Sequence, residues 1–286
     1  MKKTITPILI FFAITAILTG CGPIGDKAAN LNSIYGITTF LSFVILLIYL
    51  IRQKQKDKWY LLLFISVFIV NLGYYALGTS QTLKSALMYN RISYFGSVFL
   101  PLSMLMIILN STKTKYHRFV PMILFSVSIL MFLITASPGY SSLYYESAHL
   151  TFQNGMSVLE KTYGTWHSLY LFFLLGYFSM MIAIIFYSYK KKTMETTTHA
   201  VILTIAVFVN IGVWLIEQIV DINFEFLSIS YIITELFLLS LQFLMIENTK
   251  LNELLNEQKK WEAAETNLRS TPPLTSLLSY RTKSYR

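Results

Sequence analysis

Hydrophobic residues in this chain form long, nearly unbroken blocks separated by short polar connections, instead of the stripes of elements half-buried in a soluble core. A helix needs about 20 consecutive apolar residues to cross a hydrocarbon core of about 30 Å. Seven blocks have about that length, at 34–51, 59–78, 87–109, 119–137, 168–189, 201–220 and 230–246, and a shorter apolar stretch precedes them at 5–19. Lipid offers no partner to an unpaired backbone N–H or C=O, so such blocks must become helices that satisfy their own hydrogen bonds. The pattern predicts an all-α membrane protein, a seven-transmembrane helix bundle.

Polar positions set its direction. Lys and Arg concentrate in alternate connections: Arg52, Lys54, Lys56 and Lys58 after the first block, Lys113, Lys115 and Arg118 after the third, Lys190, Lys191 and Lys192 after the fifth. The segment after the seventh adds Lys250, Lys259, Lys260, Arg269, Arg281, Lys283 and Arg286, whereas the opposite connections hold only Lys27, Lys84 and Lys161. Short cytoplasmic loops collect these residues, so the N-terminus is predicted outside and the C-terminus inside a bacterial cytoplasmic membrane. Composition agrees, with 55% hydrophobic and 13% charged residues among 286, against about 25% charged in an ordinary soluble domain. The net charge of +9 would by itself suggest nucleic acid. Its distribution assigns it to membrane topology instead, which leaves membrane lipid as the expected partner and no nucleic acid.

One outer connection, 138–167, is long enough to carry structure of its own. Within 142–161, the alternating segments Leu143-Tyr144-Tyr145 and His149-Leu150-Thr151-Phe152 are separated from Ser157-Val158-Leu159 by Asn154-Gly155, a strong hairpin signal. A small β-hairpin between helices 4 and 5, over the outer mouth of the bundle, is expected. Beyond the last block, Leu251, Leu254, Trp261 and Leu268 fall at heptad-like spacings, with Gln258 and Glu265 interrupting the register. That pattern suits a cytoplasmic signalling helix over 247–268 that pairs with its own copy, and equally a solvated helix without a partner. The segment 269–286, with Pro272-Pro273 and several Ser, Thr and basic residues, has the composition of a disordered basic tail. At the other end, Lys2 and Lys3, the apolar stretch and then Leu18-Thr19-Gly20-Cys21 resemble a bacterial lipoprotein signal. On that reading 1–21 is removed up to a lipidated Cys21, and 22–33 tethers it to the bundle; the alternative is an uncleaved extra helix.

Candidate chemistry is sparse. The single cysteine excludes an intramolecular disulfide and a Cys-rich metal site. No Gly-x-x-x-x-Gly-Lys, no Gly-x-Ser-x-Gly and no Gly-x-Gly-x-x-Gly after a strand occurs. His149 and His167, with Glu146 and Glu160, fit no zinc spacing. Neither an enzyme nor a cofactor or metal site is expected. Ionisable residues inside membrane spans are costly and line cavities or pair with one another. Arg91, Glu217 and Glu235 lie within about 10 Å of the outer boundary at 1.5 Å rise per residue. Asn210, Trp214, Glu217 and Asp221 share one face of the sixth span, Tyr231, Glu235 and Gln242 one face of the seventh, and the second and third spans add Asn71, Tyr75, Asn90 and Tyr94. These residues predict an outer-half ligand pocket, or alternatively an Arg91 ion pair with Glu217 or Glu235 that only holds helices together.

The segment Asn90-Arg91-Ile92-Ser93-Tyr94-Phe95-Gly96 with Pro101 resembles the third helix of the seven-transmembrane sensor region at the N-terminus of bacterial histidine kinases. Ser142-Leu143-Tyr144-Tyr145, Gly155 and the run Tyr163-Gly164-Thr165-Trp166-His167-Ser168-Leu169-Tyr170 resemble its outer loop and the start of its fifth helix, and the likeness extends over 34–246. The resemblance implies a sensor that is joined through a cytoplasmic helix to a kinase, a cyclic-dinucleotide synthase or a helix-turn-helix output. Residues 247–286 contain no histidine to accept a phosphoryl group, so it implies reception here, with transmission through a cytoplasmic output protein or a homodimer. The expected function is a bacterial membrane receptor for a small extracellular or membrane-dissolved ligand. The rivals are a small transporter or permease subunit and a membrane lipoprotein scaffold. Transport would be expected to leave repeated halves and polar groups near the midplane, and the chain shows neither pattern.

Overall fold

A computed structural model describes residues 27–53, 57–153, 156–191, 197–219 and 227–270. Cys21 with its preceding motif, the Asn154-Gly155 turn and the segment 271–286 lie outside the described residues. Seven helices and one pair of strands follow in order: α1 (Lys27–Arg52), α2 (Lys58–Gly78), α3 (Leu83–Ser111), α4 (Val120–Thr135), β1 (Tyr145–Gln153), β2 (Met156–Tyr163), α5 (His167–Lys191), α6 (Thr197–Ile219) and α7 (Leu227–Ser270). Each apolar block predicted as a span falls on one helix. Five helices are long and apolar enough to cross a membrane, whereas α4, at 16 residues, and the described apolar part of α6, Thr204–Ile216, are shorter.

Helix α3 is the packing centre. Its start is fixed by Thr82, whose hydroxyl accepts from the Ser85 N–H, while Ser85 Oγ in turn accepts from the Thr82 N–H. From Gly96 to Leu109 every residue is buried. Small residues bring α2 against it: a Cβ on Gly96 would meet the Ser66 carbonyl and, at 2.9 Å, the Val70 nitrogen, and one on Gly73 would lie 2.8 Å from the Ser93 Cα. Close backbone approach through small residues is how helices associate where no hydrophobic force acts between them. Helix α4, by contrast, leaves Met122, Leu130 and Leu133 exposed, a surface suited to hydrocarbon.

The strands pair antiparallel, with Leu150 opposite Leu159 and a bulge between Tyr145 and Ser147, on either side of the expected turn. The hairpin lies on one end of the bundle. Met156 and Val158 pack with Tyr35 of α1 and Ile229 of α7, Leu159 with Ala86 of α3 and Leu77 of α2, and Ser157 Oγ donates to the Ser80 carbonyl. That end is where α1, α3, α5 and α7 begin.

The chain divides into two compact units, Met1–Ser240 and Leu241–Arg286. In the second, the expected span end at 246 and the signalling helix over 247–268 belong to the same helix, α7. Leu251, Leu254 and Trp261 are exposed on it.

Candidate functional site

Polar side chains within an apolar bundle must find partners among themselves, because an unmet donor or acceptor costs far more there than in water. Several such groups occur among the described residues of the first unit, and three of them hold residues expected at the site. Ser228 of α7 donates to Asn71 Oδ1 of α2 at 2.7 Å and lies 3.1 Å from the Thr38 hydroxyl of α1. Asn210 of α6 donates to Thr234 Oγ1 and accepts from Ser230 at 3.2 Å, both on α7. Asn90 of α3 donates to the Tyr145 hydroxyl at 3.1 Å, which donates at 3.1 Å to Tyr94. The first two tie the start of α7 to three other helices. The third ties the hairpin to α3.

Around the third group an aromatic cluster forms the wall of a cavity. Tyr94 meets Tyr144 and Tyr170 edge-on, with ring centroids 5.6 and 5.5 Å apart. Tyr163 stacks on His167 at 3.7 Å. Tyr144, in the loop just before β1, is fully buried, and that burial pushes its hydroxyl well above the usual phenol range. The cavity beside these rings has a volume of about 70 Å³, and Asn90, Ser93, Tyr94, Lys161, His167 and Trp214 are among its walls. A second chamber of about 20 Å³ shares Ser97, Leu174, Trp214 and Tyr231 with the first and adds Leu100, Pro101, Met104 and Phe178. Pro101 has no N–H, which leaves the Ser97 carbonyl without its usual helical donor.

The expected site residues distribute unevenly over this arrangement. Tyr94, Trp214 and Tyr231 line the polar chamber, and Asn210 joins Trp214 and Tyr231 in the second. Asn71 belongs to the Ser228 group instead. Tyr75, on the far side of α2, borders an open groove with Gly36 and Phe40 of α1. Arg91 turns to the loop before the hairpin, donating to the Pro138 carbonyl, with its guanidinium 4.5 Å from the centre of the Tyr140 ring. Glu235 is fully buried, and neither carboxylate oxygen has a hydrogen-bond partner among the described residues. The Arg91–Glu235 ion pair is therefore not formed. The Glu217 side chain lies outside the described residues.

Residues 34–245 match the family described as the N-terminal 7TM region of histidine kinase. The chain belongs to that family. No curated protein matches it closely enough to count as a relative. Family membership and the apolar helices together make this histidine kinase 7TM region a multi-pass membrane protein with the part of a membrane sensor. Lys161, Tyr163, His167 and Tyr170 were not among the residues expected at the site, although the last three sit in the run 163–170 that carries the family resemblance. Their convergence depends on β2 folding back along β1, which no spacing along the chain displays.

Proposed function

We propose that this 7TM region is a receptor, not an enzyme, whose seven helices all cross a bacterial cytoplasmic membrane with the N-terminus outside. It detects a small extracellular or membrane-dissolved cue in the two-chambered cavity beneath the hairpin. The observation that carries this reading is the position of Trp214 and Tyr231, which line both chambers from helices joined to each other through Asn210. A ligand wedged between α3, α5 and those two residues favours one arrangement of α6 and α7 over another, by as much as its affinity differs between them. Helix α7 carries the change inward as a rotation or a change of pairing at 247–268, to a cytoplasmic output protein or a second copy of the chain.

The test joins the chain, cut after residue 268, to the catalytic half of a histidine kinase with a transcriptional reporter. Ser97→Phe, which fills the junction of the chambers, is expected to change basal output at least severalfold while the protein still reaches the membrane. Tyr231→Phe and Trp214→Leu are expected to shift it too. Output unaffected by all three, with normal amounts of folded protein, would falsify the receptor reading.

A further inference from the structure

The end of the bundle opposite the hairpin carries a basic patch built from two elements. Helix α3 closes in a fixed turn, where the Lys113 N–H donates to the Asn110 carbonyl at 3.1 Å and the Thr114 N–H to the Leu109 carbonyl at 3.1 Å. That turn is tied to the end of α5, since the Thr114 hydroxyl lies 3.4 Å from the buried hydroxyl of Ser188. Lys115 follows Thr114 directly, and Lys191 follows Ser188 by less than one helical turn. Two basic pairs therefore flank the contact, Lys115 with Arg118 and Lys190 with Lys191, and all four side chains are exposed. Neither 110–120 nor 180–191 contains an acidic residue. Among the described residues of the first unit, the one carboxylate at this end is Asp57, which caps α2 by accepting from the Trp59 N–H at 2.7 Å. Arg118 and Lys191 lie over the Phe119 and Tyr187 rings at 5.1 and 4.7 Å, contacts that orient a cation without cancelling its charge.

Apolar surface continues from this patch along both helices. Helix α4 buries only Ser128, Met131 and Thr135 and leaves Met122 and Ile123 exposed, and α5 leaves Ile182 and Phe186 exposed. The two helices meet again where the Tyr177 hydroxyl donates to the Leu124 carbonyl at 3.2 Å, and Tyr177 to Ser188 covers about 16 Å at 1.5 Å per residue. A helix as short as α4 is matched to the bilayer by flanking basic side chains that reach the phosphates. We propose that the patch binds one anionic phospholipid with two phosphates, of the diphosphatidylglycerol class, with one phosphate at each basic pair and acyl chains along the exposed sides of α4 and α5. Any basic loop attracts an anionic membrane surface. Two pairs fixed on either side of the Thr114–Ser188 contact favour two linked phosphates over two separate ones, because the second phosphate arrives at high effective concentration. Arg118 can hold its phosphate through two parallel N–H bonds. The bound lipid clamps the α3–α4 turn to α5. This goes beyond the receptor reading and does not depend on a ligand in the cavity.

The experiment titrates the full chain in mixed micelles with diphosphatidylglycerol, phosphatidylglycerol or phosphatidylcholine and reads bound lipid by native mass spectrometry. Diphosphatidylglycerol is expected to bind one per chain, about tenfold tighter than phosphatidylglycerol at equal total phosphate. Lys115→Gln with Arg118→Gln, and separately Lys190→Gln with Lys191→Gln, are each expected to weaken it about tenfold, to the level of the single-phosphate lipid. Lys190→Arg with Lys191→Arg retains it. Lys259→Gln with Lys260→Gln removes the same charge from the exposed part of α7 and is expected to change nothing. Saturating diphosphatidylglycerol is expected to raise the melting temperature of the unaltered chain but not of either neutralised pair. Equal affinity for the two anionic lipids at equal phosphate overturns the site and leaves only diffuse attraction between a basic surface and anionic lipid. A loss at Lys259 and Lys260 as large as at the two pairs overturns it in the same way, as does tight binding retained in both pair variants with unchanged helical circular dichroism. The comparison between lipids uses the unaltered chain, so it decides the proposal even where a variant does not fold.

Discussion

Asn210 illustrates how a single amide can decide a helix contact. Its nitrogen donates both to the Ala206 carbonyl on its own helix and to Thr234, and its oxygen accepts from Ser230. Interhelical hydrogen bonds in membranes average about 0.6 kcal/mol and reach about 1.7. Asn210→Ala is therefore expected to destabilise the protein by about 1–2 kcal/mol, and a double-mutant cycle with Thr234→Val to show coupling of about 0.6 kcal/mol, both read from reversible unfolding in mixed micelles. Additive losses would mean that the two side chains do not act together. Gly96 offers a steric counterpart. With the Ser66 carbonyl in the way of a Cβ, Gly96→Val must separate α2 from α3, and a cost of about 1–3 kcal/mol is expected from overpacking. At Gly176 an added Cβ meets nothing within 4 Å, so Gly176→Ala is expected to leave the melting temperature where it was or raise it. Spacing alone placed Asn210 and Trp214 on one face of their helix, because a helical period survives any arrangement of neighbours. It could not place Arg91, whose long side chain reaches a loop carbonyl, Pro138, instead of a residue on a facing helix.

The hairpin couples most of the bundle through one buried strand edge. Residues Met156 to Leu159 of β2 are all buried, while Glu160 and Thr162 are exposed. Leu159→Asp is expected to lift the hairpin from the helix ends, making 145–163 cleavable by protease added to spheroplasts, without loss of helical circular dichroism. Thr162→Asp is expected to leave protection intact. Equal sensitivity in both variants would mean that the hairpin does not depend on its buried face. This element was readable in advance because Asn-Gly between alternating segments is a local signal. The polar cavity was not, since Lys161 and Tyr163 reach it only after strand pairing and the return of the chain at Gly164. There the Gly164 N–H donates to the Tyr144 carbonyl at 2.9 Å and the Trp166 N–H to the Leu143 carbonyl at 3.0 Å. Helix α4 marks another limit: the apolar block located it, but its 16 residues of helix cover about 24 Å at 1.5 Å per residue, less than a 30 Å core.

For the whole molecule, the proposed receptor role depends on direction across the membrane. A cavity beneath the hairpin is open to outside cues only if the hairpin end faces outward, and charge asymmetry between loops is the physical basis for expecting that. Lys113, Lys115 and Arg118 follow α3, and Lys190 and Lys191 close α5, at the ends of these helices away from the hairpin. The single cysteine makes a direct test simple. In a Cys21→Ser background, Glu146→Cys on the exposed side of β1 is expected to react with a membrane-impermeant maleimide in intact spheroplasts. Lys115→Cys and Lys191→Cys, also exposed, are expected to react only after the membrane is opened. The reverse pattern would turn the cavity toward the cytoplasm and place the end of α7 outside, where no cytoplasmic partner could read it. Labelling of Glu146→Cys and Lys191→Cys from the same side would mean an even number of crossings between them. The 16-residue α4 does not bear on that result, because it precedes both positions, so α5 alone determines it.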